Sequence, residues 1–264
     1  MHAFDYASRT SKGAREYQED TALVWPGPGA GAFAPAGSSQ GHTPVVAVLA
    51  DGMGGHTGGA LASRTVCDSF VAAYAKETGE EPHRLLAALD AANRAITQKV
   101  EANPMLSGMG STVIGATFSG QGVHWVSVGD SPLLLYRRGE VAVLNEDHSL
   151  APELDALAAA GKITHAEARN DPRRHMLRSA VTGEDLDMID LPARPLGLSA
   201  GDYVILASDG LQTLEMGEIE RVISAYAGDG AEAVAAALIR AVEAIRDPYQ
   251  DNTTVIAVRV LGPA

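Results

Sequence analysis

Acidic residues stand at the ends of apolar, strand-like runs at five places in this chain. They are Glu19 with Asp20, Asp51, Asp130, Asp209 and Asp251. Each alone could simply close a turn, because Asp-Gly is a favoured hairpin pair and Asp is common in turns. Strands flank Asp130 on both sides, which suits a hairpin. Asp51-Gly52 and Asp209-Gly210 lack the second alternating strand that a hairpin needs, so we expect these two positions to do more than close turns.

The chemistry that such acids could perform depends on whether the folded strand ends meet. Carboxylates brought together repel one another and raise one another's pKa values, so the cluster is tolerable only with cations among its members. Ligation by oxygen atoms, without cysteine or clustered histidine, selects hard ions such as Mg²⁺ or Mn²⁺. Glycine lets the backbone approach an ion closely, which makes the Gly52 carbonyl a further candidate ligand.

The glycine-rich stretch Asp51–Gly59 has three possible explanations: a tight turn, a phosphate-binding loop, or a loop that folds over a metal ion. It is not a P-loop, since no GxxxxGK[ST] exists in the chain. It also lacks the third glycine of a dinucleotide fingerprint, with Thr57 at that position. The metal loop is therefore favoured. Arg15, four residues before Glu19, has the planar guanidinium that suits bidentate phosphate binding, although alone it is an ordinary surface arginine.

Bulk composition limits the class of partner. The chain has 264 residues, 46% of them hydrophobic, and a formal net charge of −13. That charge argues against partners such as nucleic acid or an anionic membrane, because either would need a cationic face. Cys67 is the single cysteine, so an intrachain disulfide is impossible. With no signal-peptide core and no membrane-length apolar run, we expect a cytoplasmic protein.

The spacing of the hydrophobic residues predicts the helices and strands that must position these acids. Helical spacing occurs in three segments, with apolar residues at 62–73, 85–100 and 234–245. Strand-like runs cover residues 3–10, 22–25, 45–50, 112–118, 123–128, 133–136, 141–144, 203–207 and 253–260. Regular βαβ alternation is absent, which predicts an α+β fold with antiparallel sheets and helices packed outside. We expect one domain over residues 1–264, with a flexible loop at 26–44 and a polar surface flap at 145–182 that carries short helices.

Seven short motifs occur in an order that matches a known family. They are AREYQED (14–20), ADGMGGH (50–56), GSTV (110–113), VGDSP (128–132), EDHSL (146–150), ASDGL (207–211) and DNTTV (251–255). Each is weak alone, but together they are distributed over nearly the whole chain, from residue 14 to residue 255. The chain thereby resembles the bacterial metal-dependent type 2C serine/threonine protein phosphatases. The resemblance implies a four-layer α/β/β/α sandwich with two antiparallel sheets face to face.

The resemblance also implies a metal centre and a role for each acid. One ion is expected at Asp51, Asp209 and Asp251, and the other at Glu19, Asp51 and the Gly52 carbonyl. A third, weaker ion of bacterial members would lie at Asp130 and Asp209. The ions, Mn²⁺ or Mg²⁺, would activate the water that hydrolyses phosphoserine or phosphothreonine. Arg15 is expected to bind the phosphoryl oxygens, and Asp20 to support the site from behind.

Three features depart from the family pattern. Gln18 replaces the usual asparagine, and its longer amide is expected to keep the hydrogen bonding. Met53 stands where eukaryotic members place a histidine proposed as general acid, and that role is not transferred to His56. The loop at 26–44 is longer than expected. Cys67 lies in a predicted helix and is assigned to packing.

The sequence is compatible with three functional hypotheses. The first is an active phosphoprotein phosphatase, whose partners are phosphorylated proteins and a serine/threonine kinase that it opposes. The second is a pseudophosphatase that binds phosphoproteins without turnover, which the complete set of acids disfavours. The third is a hydrolase of small phosphate esters or nucleotides, for which no stacking site is visible among the 5% aromatic residues.

Overall fold

The computed structural model describes residues 2–25, 36–39, 44–55 and 57–263. The described strands are β1 (His2–Ser11), β2 (Asp20–Trp25), β3 (Ala36–Ser39), β4 (Val45–Met53), β5 (Gly110–Ser111), β6 (Val113–Ser119), β7 (Gly122–Val128), β8 (Leu133–Arg137), β9 (Glu140–Val143), β10 (Tyr203–Ala207) and β11 (Thr253–Pro263). The described α-helices are α1 (Thr57–Tyr74), α2 (Glu81–Ala102), α3 (Ala151–Ala159), α4 (His165–Asn170), α5 (Met216–Tyr226) and α6 (Ala231–Ile245). Within these ranges, no helix has both the length and the apolar content to cross a membrane.

The strands form two antiparallel sheets. The first has the spatial order β3-β1-β11-β10-β8-β9, and the second has the order β2-β4-β6-β7 with β5 paired to the end of β4. An apolar core that includes Phe4, Leu49, Phe118 and Ile256 fills the space between the sheets. The even-numbered positions of β4 point the other way, toward α1 and α2, which is why Val45–Ala50 is an unbroken apolar run buried on both sides.

Helices cover the outer face of each sheet. The faces of α1 and α2 that contain Val66, Phe70 and Leu89 pack on the second sheet. The faces of α5 and α6 that contain Ile223 and Leu238 pack on the first sheet. The four layers confirm the α/β/β/α sandwich expected from the sequence.

The segments at 26–44 and 145–182, both expected to lie outside the regular core elements, contain ordered secondary structure. Residues 36–39 form β3 and pair with β1, whereas the sequence predicted an irregular loop over 26–44. This strand is specified by its neighbour, since Ala36–Ser39 has no alternating apolar pattern of its own. The rest of that expected loop, except Pro44, lies outside the described residues. The expected helices of the 145–182 segment are confirmed as α3 and α4.

One glycine of β6 shows how closely the helical layer lies on the sheet. A β-carbon at Gly115 would run into the ring of Phe70, which α1 presses onto the strand and which is fully buried. In contrast, a β-carbon at Gly217, in the first turn of α5, would meet open space.

We therefore predict opposite stability effects for two identical substitutions. Gly115→Ala should lower the free energy of unfolding by about 1–3 kcal/mol, because Phe70 must shift in a packed core. Gly217→Ala should raise it by about 0.5–1 kcal/mol, because alanine restricts the unfolded chain and favours the helix. Denaturant unfolding of both variants beside the wild type measures this. Equal effects of the two variants would contradict the packing described here.

Candidate metal centre

The two sheets bring their acidic strand ends together at one edge of the sandwich. Asp51 lies near the end of β4, directly opposite Asp20 of β2. Asp209 opens a single 3₁₀ turn (Asp209–Thr213) after β10, and Asp251 stands just before β11, the neighbour of β10. Ser208 donates a hydrogen bond of 2.8 Å to the Asp20 carboxylate, which joins the two sheets at this edge.

Electrostatics shows that the acids share one site. Burial raises the pKa of Asp51 well above its usual value, and the charges of Asp20, Asp209, Asp130 and Asp251 raise that pKa further. The pKa of Asp209 is also raised, by burial and by Asp251, while contact with the Asp51 carboxyl partly opposes the shift. The acids of five strand ends therefore act on one another.

Two further carboxyls at this edge have raised pKa values. Burial, Asp209 and Asp147 raise the pKa of Asp130 to about 7. Burial raises the pKa of Asp20 to about 6, although hydrogen bonds from Ser208 and Thr254 act in the opposite direction. Without a compensating cation, ionisation of this cluster is therefore costly near neutral pH.

Oxygen atoms are held at the site with no partner from the protein. Glu19 Oε1 and Asp209 Oδ1 are buried and accept no hydrogen bond. A β-carbon at Gly59 would collide with Glu19 Oε1 and lie against the Gly52 carbonyl oxygen, so both oxygens approach the same point at the start of α1. Buried oxygen atoms that lack donors fit a site for hard cations.

The arrangement is nevertheless not a finished coordination shell. Among the described residues, no three Asp, Glu, His or Cys side chains are placed so that they could hold an ion as they stand. Asp251 shows one reason: one of its carboxylate oxygens pairs with Arg15 and the other accepts a 2.8 Å hydrogen bond from its neighbour's backbone. A cation at Asp251 would therefore compete with Arg15 for this carboxylate.

Neighbouring polar residues fix the backbone of the acids. Thr112 Oγ1 accepts a hydrogen bond from the Asp51 amide, and Ser111 Oγ donates one to the Asp51 carbonyl. The Asn252 side chain accepts from the Glu19 amide at 2.7 Å and donates to two carbonyls of the loop before it. These residues belong to the GSTV and DNTTV motifs, which alone predict no role for them.

A cavity of about 560 Å³ opens over part of the cluster. Asp51, Asp130 and Asp209 line it, and residues 175–180 of the expected flap line it as well. His175 belongs to that lining, and its charge acts on Asp209. His175 is not among the site residues predicted from the sequence, although it lies in a basic run at 173–178 of an acidic chain, which is a signal for such a residue.

Other sequence expectations can be compared directly with the structure. The Gln18 amide keeps its hydrogen bonds, since its nitrogen donates to Thr10 Oγ1 and its oxygen accepts from the Asp20 amide. Cys67 is buried as a free thiol inside α1, which confirms its packing role. His56 lies outside the described residues.

Comparison with known proteins identifies the class to which this fold and site belong. Residues 32–252 match the family described as Protein phosphatase 2C. The chain therefore belongs to the protein phosphatase 2C family.

Individual relatives agree with that assignment. The chain is 36% identical to the serine/threonine protein phosphatase PstP of Mycobacterium tuberculosis over 219 residues, which are 81% of this chain. It is 33% identical to the serine/threonine phosphatase stp of Listeria monocytogenes, over 83% of this chain and 82% of that protein. The solved catalytic domain of PstP in complex with two manganese ions has a TM-score of 0.76, with 29% identity over 99% of this chain and 100% of that domain.

The match to the full-length mycobacterial protein is partial. The chain spans 40% of the length of PstP, and that part corresponds to the catalytic domain described above. The likeness to the solved structure therefore concerns the fold of that catalytic domain.

The raised pKa values predict how stability changes with pH in the metal-free protein. A carboxyl whose pKa is higher in the folded state than in the unfolded state contributes stability that is present at low pH. That contribution is lost as pH rises from about 4 through the folded value, which for Asp130 is about 7. With EDTA present, Asp130→Asn should flatten this decline by about 1 kcal/mol per pH unit between pH 5 and 7.

Denaturant unfolding at several pH values measures this slope. Asp68→Asn, an exposed site on α1, is the matched control and should keep the wild-type slope. An unchanged slope in Asp130→Asn would show that the carboxyl of Asp130 titrates normally in the folded state.

Proposed function

We propose that this chain is a metal-dependent phosphatase that hydrolyses phosphoserine and phosphothreonine in proteins. The observation that carries the proposal is the convergence of mutually repelling carboxylates, with unpartnered buried oxygens, at the edge of the sandwich. Family membership and the names of the serine/threonine phosphatases that it resembles support the substrate class.

We infer that two Mn²⁺ or Mg²⁺ ions bind at this edge, as two manganese ions do in the PstP catalytic domain. Asp51, Asp209 and Asp251 would hold one ion, and Glu19, Asp51 and the Gly52 carbonyl would hold the other. Asp130 and Asp209 would hold a third, weaker ion. When bound, the ions supply Lewis-acid activation of water near neutral pH and neutralise phosphoryl charge.

The side chains of the protein itself have three tasks in this scheme. The Arg15 guanidinium, half exposed beside Asp251, keeps N–H donors that can bind phosphoryl oxygens. Asp20 orders the edge through its hydrogen bond from Ser208. Residues 175–180 line the same cavity as Asp51, Asp130 and Asp209, where they would limit the access of water and substrate.

We place the activity in the cytoplasm, where the free Cys67 thiol fits a reducing compartment. We also propose that the substrates include proteins phosphorylated by a serine/threonine kinase of the same cell. A screen of kinases and kinase substrates with the purified protein tests this, and release of phosphate from none of them would contradict it.

Hydrolysis of a phosphothreonine peptide tests the main proposal. The purified protein should release phosphate with Mn²⁺ or Mg²⁺ and not with EDTA. Asp209→Asn should lower kcat/KM by about 100-fold or more, because it removes a carboxylate assigned to an ion. Asp68→Asn should leave activity unchanged. A folded protein that releases no phosphate with either metal would instead favour a phosphoprotein-binding role, which peptide binding by fluorescence anisotropy detects.

A second experiment isolates the role of Arg15. Arg15→Ala should raise KM for the phosphothreonine peptide by about tenfold or more, and Arg15→Lys should recover part of the loss, because lysine keeps the charge but not the planar fork. Arg64→Ala, at an exposed site on α1, controls for the loss of one positive charge. If KM were the same in Arg15→Ala and Arg64→Ala, Arg15 would not bind the phosphoryl group.

A further inference from the structure

A second cleft lies beside the carboxylate cavity. It has a volume of about 460 Å³, and Asp130 contributes to the lining of both spaces. The Gln212 side chain, also in the cleft lining, donates a 3.3 Å hydrogen bond to the Asp130 carbonyl. Strands β8 and β9, the loop after β9 and the start of α5 surround the cleft. None of the roles proposed above uses it beyond Asp130.

The cleft has an apolar floor with apolar side chains at its rim. Leu134, Leu211 and Ile219 are buried beneath it. Met216 at the start of α5 is 41% exposed and Val143 at the end of β9 is 53% exposed. A flexible methionine beside an apolar floor can pack around an incoming apolar side chain.

The rim of the cleft also contains acidic side chains. Glu146, Asp147 and Glu215 line it and are exposed to solvent. Arg174 lines it as well, but its guanidinium pairs with Asp155 at 2.8 Å, so its charge is already compensated. An apolar floor with a negative rim is complementary to an apolar residue that lies next to a basic one.

We propose that this cleft binds the part of a phosphoprotein substrate that flanks the phosphorylated residue, and that it selects an apolar residue adjacent to a lysine or arginine. The proposal rests on the phosphatase function proposed above. An extended chain advances about 3.3 Å per residue, so a few residues can pass from the carboxylate cavity into an adjoining cleft. The cleft would therefore set substrate preference without contact with the reacting atoms.

Matched phosphopeptides provide the first test. One phosphothreonine peptide carries Leu-Lys within four residues of the phosphorylated site, in separate amino-terminal and carboxyl-terminal versions. Its counterparts carry Ala-Ala or Leu-Glu at the same positions. In one of the two versions, amino-terminal or carboxyl-terminal, the kcat/KM of the Leu-Lys peptide should be about tenfold higher than that of the Leu-Glu peptide. The difference should arise mainly from a lower KM. Equal kcat/KM for all of these peptides would overturn the proposal.

Variants of the cleft provide the second test. Glu146→Lys should reduce the ratio of kcat/KM for Leu-Lys to that for Leu-Glu by about three- to tenfold. Met216→Ala should reduce the ratio of kcat/KM for Leu-Lys to that for Ala-Ala by a similar factor. Both should hydrolyse para-nitrophenyl phosphate, which is too small to reach the cleft, at the wild-type rate. Asp68→Lys, on the opposite helical layer, makes the same charge change as a control. Identical peptide kinetics for Glu146→Lys and Asp68→Lys would also contradict the proposal.

The outcomes separate this inference from the proposed function. Turnover of para-nitrophenyl phosphate without peptide preference would reject the cleft and leave the phosphatase activity in place. Absence of metal-dependent turnover of every substrate would reject the proposed function. Anisotropy with labelled peptides then still tests the cleft, because the Leu-Lys peptide should bind at least about threefold more tightly than the Leu-Glu peptide. Equal binding of the two would overturn it.

Discussion

Mutual repulsion among carboxylates at one edge of the sandwich is the constraint on which the rest of this structure depends. The charges of Asp20, Asp130, Asp209 and Asp251 all raise the pKa of Asp51. A fold tolerates such a cluster only when the surrounding structure is stable enough to hold it and when cations or protons reduce its charge. The apolar interior of the two sheets provides that stability, since its residues need no polar partner.

The positions of the acids follow from the same division between an apolar interior and polar strand ends. The apolar run of β4 ends at Ala50, and the next residue, Asp51, lies near the end of the strand, opposite Asp20. The sequence could therefore predict that Asp51, Asp209 and Asp251 occupy strand ends, because each borders an apolar run. It could also predict antiparallel sheets with helices packed outside, because helical and strand-like spacings were distinct, whereas the four layers were implied by the family resemblance.

What the sequence could not predict depends on contacts between distant residues. Ala36–Ser39 becomes a strand only because β1 offers it an edge, and small residues give no periodic signal for this. The pairing of Arg15 with Asp251 joins residues 236 positions apart. The approach of His175 to Asp209 depends on how the 145–182 segment folds back over the edge. Spacing along the chain contains no information about such contacts.

Three arginines of that segment are paired with acids that do not belong to the cluster. Arg173 pairs with Asp171, Arg174 with Asp155, and Arg178 with Glu153. All three arginines are thus engaged with acids outside the cluster, although residues 175–180 line its cavity. Arg15 and His175 lower the pKa of Asp209, yet that pKa stays raised. The protein therefore keeps a local excess of negative charge at this edge, which is the electrostatic condition for binding divalent cations.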